Sequence, residues 1–577
     1  MEARPASAGM HDAEEGDGAP GSRGANGPLR TLIAMLAVAL AFFAVGAQLV
    51  RLALYGQGEI SSSLNETVAQ SFARPDIVDR NGRLLATDVE AYSLFADPAR
   101  VIDRDEAVER LAAVFPDLDR NLLRKDLSDR SRRFVWVRRG LAPRTAQAVH
   151  ELGLPGFDFR RELRRAYPAN MLAGHVLGYV NIDNKGVAGI ERYVDEVVGV
   201  ESVQGATLAE RPPVRLSLDI GVQHAVEAEL ADAVDRFKAK GAAGVVLDVT
   251  TGEVLASASL PAVDPAKPNL DKDRNDKIAG STFELGSVFK TLTVAMAIDQ
   301  ALVTPDTIID VRKELAAGRF TIKDLHPLRR PLSVAEIFLH SSNVGAAMLA
   351  LQAGPQRFEA FLRHMQLLDV MKTEAGNVAP PQTPQRWGEV ETITGSYGHG
   401  IALAPLQFAA AAAAIVNGGR KVMPTFVKRP ADAGSADIPL ISATTSEKMR
   451  LLMRRNVAEP AGTGKRAEVR GYQVGGKTGT AELPGAGGYR EKAVISSFLA
   501  AFPMDNPRYL VFVLLFEPQA TQETGGEVLA ARNAAPTAGR VISRIGPLLG
   551  MAPTQAASAG SLGMAFDAAA HAKYEAR

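Results

Sequence analysis

Twenty uncharged residues, Thr31 to Val50, are rich in Leu, Ala, Val and Phe and stand between Arg30 and Arg51. About 20 helical residues cross a bilayer core, so this run predicts a single transmembrane helix. A cleaved signal peptide is the alternative, with Val45-Gly46-Ala47 as its cleavage site. The preceding 30 residues are long, acidic and Gly/Ala-rich, unlike the short basic head of a signal peptide, and favour a retained anchor. No second apolar span follows. The expected orientation puts Met1 in the cytoplasm and the bulk of the chain outside it, although Arg23 and Arg30 are opposed by Arg51.

Beyond the anchor the pattern is mixed, with Arg133–Arg139 extended and Pro143–Leu152 helical. From about residue 216 the texture changes. Gly244–Val249 and Val254–Leu260 are apolar strands joined by the turn Thr250-Thr251-Gly252-Glu253. Gln473–Leu483, Lys492–Pro503 and Arg508–Pro518 read as three further strands, and Ala538–Leu549 as a closing helix. Some 200 residues of mostly helical pattern separate the two strand groups, including Ser287–Gln300 and the Ala-rich Pro405–Asn417. The fold class this predicts is α/β, an antiparallel sheet plus a helical region. The expected organisation is a disordered cytoplasmic tail over 1–30, the anchor over 31–50 and a mixed non-catalytic domain over 51–215. A catalytic domain over 216–550 and a disordered tail over 551–577 complete it.

Composition narrows the chemistry. Lysine and arginine (65) balance aspartate and glutamate (65), which argues against a nucleic-acid partner. There is no cysteine, hence no disulfide, thiol nucleophile or cysteine-bound zinc. The nine histidines include no H-E-x-x-H pair, so no metal or cofactor is expected.

Ser287-Val288-Phe289-Lys290 opens an apolar helical run after Gly286. Residues three apart share a helix face, so Lys290 can reach the Ser287 hydroxyl, while the helix start supplies free N–H groups. A nucleophile with a base in reach and donors for an oxyanion is what acyl transfer needs. A lysine base must be neutral, and lowering its pKa by ~3 units takes on the order of 4 kcal/mol from burial and neighbouring charge. Alone, such a pair is as easily a helix surface. Ser341-Ser342-Asn343 is weaker by itself, since Ser63-Leu64-Asn65 has the same form. Lys477-Thr478-Gly479-Thr480 offers a cation, two hydroxyls and a glycine where a substrate backbone can come close.

Together, and in this order, the three motifs resemble the penicillin-binding protein and serine β-lactamase superfamily. Arg80-Asn81-Gly82-Arg83-Leu84-Leu85-Ala86, preceded by Arg74-Pro75-Asp76-Ile77, resembles the opening signature of the class B pedestal. Arg165-Ala166-Tyr167-Pro168, Gly174-His175-Val176-Leu177-Gly178 and Gly189-Ile190-Glu191 resemble its later motifs, and Gly462-Thr463-Gly464 also fits. Gly395-Ser396-Tyr397-Gly398-His399-Gly400 looks like the division-type enzymes. The family often has Pro-Gly-Ser-Thr at the nucleophile, where this chain has Leu285-Gly286-Ser287-Val288.

The resemblance implies a membrane-anchored peptidoglycan D,D-transpeptidase, acting at the septum and acylated by β-lactams. It implies Ser287 as nucleophile, Lys290 as acylation base, Ser341 as proton relay to the leaving D-alanine, and Asn343 as a ligand of the substrate amide. Lys477 would hold Ser341, Thr478 and Thr480 would bind the terminal carboxylate beside Gly479, and the Ser287 and Thr480 N–H groups would form the oxyanion hole. Implied partners are the D-Ala-D-Ala stem peptide, the bacterial inner membrane, a membrane-embedded glycan polymerase and other division proteins. A D,D-carboxypeptidase or β-lactam-hydrolysing relative carries the same motifs. A non-catalytic division scaffold is disfavoured by the intact serine and lysines. No serine sits in a G-x-S-x-G elbow, which disfavours an α/β-hydrolase.

Overall fold

The computed structural model describes residues 32–33, 35–48, 50, 74–198, 212–268, 275–318, 320–430, 437–485 and 488–553. The chain divides into two units, Met1–Gln70 and Ser71–Arg577. In the first, the described residues between 32 and 50 are helical and expose Leu36, Phe42 and Phe43. Among the described residues no helix is long and apolar enough to cross a membrane. The anchor expected over Thr31–Val50 falls partly outside them, at residues 31, 34 and 49, and the tails lie outside except for 551–553.

The second unit begins with a five-stranded mixed sheet: β1 (Ile77–Val78), β2 (Leu84–Ala96), β3 (Val135–Leu141), β4 (Phe157–Ala166) and β5 (Val214–Arg215). The order is β3-β2-β1-β5, with β4 along the other side of β2. Helices Arg104–Val114 and Arg120–Ser128 start at Asp103 and Asp119, whose carboxylates accept from the first free N–H groups. Helix Pro143–His150 starts on a proline, which lacks the N–H that a first turn leaves unpaired. Leu94, Val108, Leu111, Leu123 and Val149 bury their side chains between these helices and the sheet.

Three of the motifs flagged in this region meet in one buried ion-pair cluster. Arg74 Nη2 lies 2.8 Å from Glu191 Oε2, Arg165 Nε 2.7 Å from Glu191 Oε1, and Arg165 Nη1 3.1 Å from Asp88 Oδ1. Arg74 also pairs with Asp195 and donates to the Asn184 carbonyl at 3.0 Å. Removing one partner of such a pair strands a buried charge and costs about 3–5 kcal/mol.

The remainder of the unit is built on an antiparallel sheet of β6 (Gly241–Asp248), β7 (Val254–Leu260), β8 (Gly475–Gly485), β9 (Gly488–Phe502) and β10 (Tyr509–Phe516). The order is β8-β9-β10-β6-β7. Both faces are covered, which is why β6 and β10 read as unbroken apolar runs. Successive residues still divide by face. Val246, Val511 and Val513 pack with helices Ile220–Phe237 and Ala534–Leu548, whereas Val245, Leu247, Leu510 and Phe512 pack with the helical insertion. Within that insertion, helix Pro405–Val416 is buried all round, and its alanine run lets neighbouring elements approach its backbone. The strands and closing helix expected from the sequence are present with ends shifted by a few residues. One expectation changes in kind. The helix read from Ser287 instead begins at Lys290, after a single 3₁₀ turn over Gly286–Phe289.

Candidate active site

The 3₁₀ turn follows from Gly286, whose φ of +60° is open to glycine at little cost. In such a turn residues i and i+3 eclipse, which sets Ser287 directly beside Lys290. Lys290 Nζ lies 2.9 Å from Ser287 Oγ. Two further glycines allow other chain segments to close on this turn. A Cβ on Gly398 would stand 2.3 Å from the Gly286 carbonyl oxygen, and one on Gly479 would stand 2.6 Å from the Leu285 oxygen. The Gly286 N–H donates to the Gly398 carbonyl at 3.3 Å, and Thr293 Oγ1 on the next helical turn donates to the Ser396 carbonyl at 2.6 Å. His399 is largely buried, its ring edge-on to Tyr397 at 5.2 Å between centroids. Burial lowers its pKa, and Glu284 and Glu482 oppose that shift.

Lys290 is fully buried, with Nζ 2.6 Å from the Ser341 carbonyl, 3.2 Å from Ser341 Oγ and 2.7 Å from Asn343 Oδ1. A carbonyl and an amide oxygen can only accept, so they take two N–H bonds of the amine. When Lys290 is neutral its lone pair is what remains, and a hydroxyl can donate to it. Burial holds the Lys290 pKa well below the usual lysine value; the neighbouring Lys477 charge acts in the same direction and Asp324 opposes it. Lys477 is also fully buried, and burial brings its pKa down to about 7. Its Nζ donates to Ser341 Oγ at 2.9 Å and sits over the Phe338 ring at 5.8 Å. Ser341 Oγ is therefore held between two amines, on a residue whose φ of +59° is unusual for a side chain with a Cβ.

Strand β8 carries Lys477, Thr478, Gly479 and Thr480 along the edge of the sheet. The structure thus brings Ser287, Lys290, Ser341, Asn343 and Lys477 into one contact network, with Thr478 and Thr480 on the adjoining strand. Asn343 is engaged internally: Oδ1 accepts from Lys290, and Nδ2 donates to the Lys323 carbonyl at 3.2 Å.

Two supporting residues escaped the sequence reading. Asp324 accepts from Ser342 Oγ at 2.7 Å, Asn343 N at 2.6 Å and Val344 N at 3.0 Å, fixing the turn that carries Ser341. Buried Asn456 donates to the Gly476 carbonyl at 2.9 Å, next to Lys477. Neither stands in a local pattern that points to it, because each acts across a long sequence separation.

A serine 2.9 Å from the amine of a fully buried lysine whose pKa is lowered, opposite a lysine-bearing strand edge, defines a serine acyltransferase of the penicillin-recognising class. Residues 242–536 match the penicillin-binding protein transpeptidase domain, and residues 70–204 match the penicillin-binding protein dimerisation domain. The chain is 39% identical over 488 residues to the probable peptidoglycan D,D-transpeptidase FtsI of Caulobacter vibrioides, covering 83% of this chain and 82% of that protein. It is 29% identical to the peptidoglycan D,D-transpeptidase FtsI of Escherichia coli, over 83% of this chain and 84% of that one. Penicillin-binding protein 3 of Mycobacterium tuberculosis, solved with aztreonam, superposes with a TM-score of 0.64 at 26% identity, over 84% of this chain and 97% of that one. The chain belongs to the class B penicillin-binding proteins, in the branch that contains the FtsI proteins.

Proposed function

We propose that the protein is a peptidoglycan D,D-transpeptidase that cross-links stem peptides during septal wall synthesis. The observation that carries this reading is the 2.9 Å contact between Ser287 Oγ and the amine of fully buried Lys290. Ser287 Oγ attacks the carbonyl between the two terminal D-alanines as its proton passes to neutral Lys290. Backbone N–H groups of Ser287 and Thr480 take the oxyanion charge, and donors in place before the reaction are worth most in a buried site. The C–N bond then breaks, and Ser341, held by Lys290 and Lys477, hands a proton to the departing D-alanine amine. An amine from a neighbouring stem peptide attacks the acyl-enzyme and restores the Ser287 hydroxyl. Asn343 turns from its internal bonds to the substrate amide, and Thr478 and Thr480 hold the terminal carboxylate beside Gly479.

The exposed apolar side chains before residue 50 support a single anchor over 31–50 in the bacterial inner membrane, with residues 1–30 cytoplasmic and the catalytic domain periplasmic. Residues 51–215 act as a non-catalytic pedestal below the 216–550 catalytic domain, and 551–577 as a tail. Anchor and pedestal meet a membrane-embedded glycan polymerase and other division proteins.

The test is acylation by a labelled penicillin, followed by turnover of a D-Ala-D-Ala peptide with and without an acceptor amine. We expect label on Ser287, none in folded Ser287→Ala, and an amine-linked product. Label on Ser341 would overturn the nucleophile assignment. Hydrolysis with no amine-linked product would make the enzyme a carboxypeptidase.

A further inference from the structure

Behind the strand edge lies a short chain of hydroxyls that ends on a buried amide. Asn456 Nδ2 is committed to the Gly476 carbonyl at 2.9 Å, which fixes the amide and leaves Oδ1 as an acceptor. That oxygen accepts from Thr463 N at 3.1 Å and from Thr463 Oγ1 at 3.2 Å. Thr463 Oγ1 accepts in turn from Thr478 Oγ1 at 2.8 Å. A hydroxyl has one proton, so the order Thr478 to Thr463 to Asn456 points the Thr478 proton away from the substrate strand edge. Thr480 differs, because its Oγ1 accepts from Ala530 N at 3.2 Å and keeps its own proton to give.

A carboxylate only accepts, so to bind one Thr478 must turn its proton away from Thr463. Unless Thr463 reverses too, two hydroxyl oxygens face each other at 2.8 Å with no proton between them. Thr463 can then turn to donate to Thr478, and Thr478 can donate to the anion. Asn456 Oδ1 keeps the Thr463 N–H in both orders, so no buried acceptor is left unpaired. We propose that Asn456 and Thr463 are positioning residues that form a reversible hydroxyl relay, turning the Thr478 proton towards the substrate's terminal carboxylate when it binds. Hydrogen bonds in series polarise one another, so a donating Thr463 makes Thr478 a stronger donor. The relay rests on the transpeptidase reading.

The experiment compares acylation of the full-length chain by benzylpenicillin and by its uncharged methyl ester. Thr463→Val should lower acylation efficiency with benzylpenicillin by about two- to tenfold, the range of one neutral hydrogen bond. With the ester the rate should not change. Thr463→Ser should restore the benzylpenicillin rate, and Thr463→Val combined with Thr478→Val should be no slower than Thr478→Val alone. Thr463→Ala gives the same comparison should the valine variant not fold. Equal losses with both probes, or additive losses in the double variant, would overturn the relay while leaving the transpeptidase reading intact. Absence of acylation in the unchanged chain would overturn that reading and the relay with it.

Discussion

Gly398→Ala isolates the close approach that shapes the nucleophile turn. The added Cβ would stand 2.3 Å from the Gly286 oxygen and 2.8 Å from the Gly286 nitrogen. Carbon–oxygen contacts close at about 3.3 Å, so the two segments must separate by about 1 Å. The atom that must give is rigid backbone one residue before Ser287. A displacement of about 1 Å at a reacting group can cost about 10²-fold in rate. Gly400→Ala is the matched control. Gly398 and Gly400 have φ values of +84° and +75°, so both alanines meet the backbone strain of a left-handed conformation. At Gly400, however, the nearest atom to the new Cβ is Thr394 Oγ1 at 3.4 Å, which is ordinary contact. Acylation with a fluorescent penicillin, beside a melting curve, should show Gly400→Ala losing stability with near-normal acylation. Gly398→Ala should lose acylation by ~10²-fold and, with the overlap added to the same backbone strain, melt below Gly400→Ala. Equal acylation in the two variants would refute the claim that the Gly398–Gly286 contact sets the nucleophile's position.

Two further outcomes follow from the buried charges. Folded Lys477 loses its proton at about 7 against an ordinary 10.5, so between those values the unfolded chain binds more protons. Unfolding free energy should therefore rise with pH across that window, and Lys477→Met should flatten the slope in denaturant titrations. The same variant removes the positive neighbour that lowers the Lys290 pKa, so the acid limb of the acylation profile should move to higher pH; movement to lower pH would contradict the charge coupling. In the N-terminal sheet region, Glu191→Gln removes the carboxylate shared by Arg74 and Arg165, which keep Asp195 and Asp88, and should destabilise the fold by about 1–3 kcal/mol, read from denaturant midpoints.

Local physics made much of this protein legible before its fold was known. The three-residue spacing of Ser287 and Lys290 holds whether the turn is 3₁₀ or α, so their contact was readable although the helix start was misplaced. Apolar runs announced the strands, and the five were found, while their burial on both faces came from the structure. The motifs around Arg74, Arg165 and Glu191 were recognisable as signatures, but nothing in their spacing revealed one shared ion-pair cluster. Only the tertiary structure decided what lies across long separations. Ser341 and Lys477 meet from 136 positions apart, and Asp324 reaches 19 positions to cap the turn at Asn343. The base strength of Lys290 was undecided for the same reason. The sequence gives a lysine its ordinary value, while full burial beside a second lysine depends on which helices and strands close over it. The hydroxyl order from Thr478 to Asn456 is likewise invisible in a list of residues, since the direction of a hydrogen bond is fixed by what each partner has already bound.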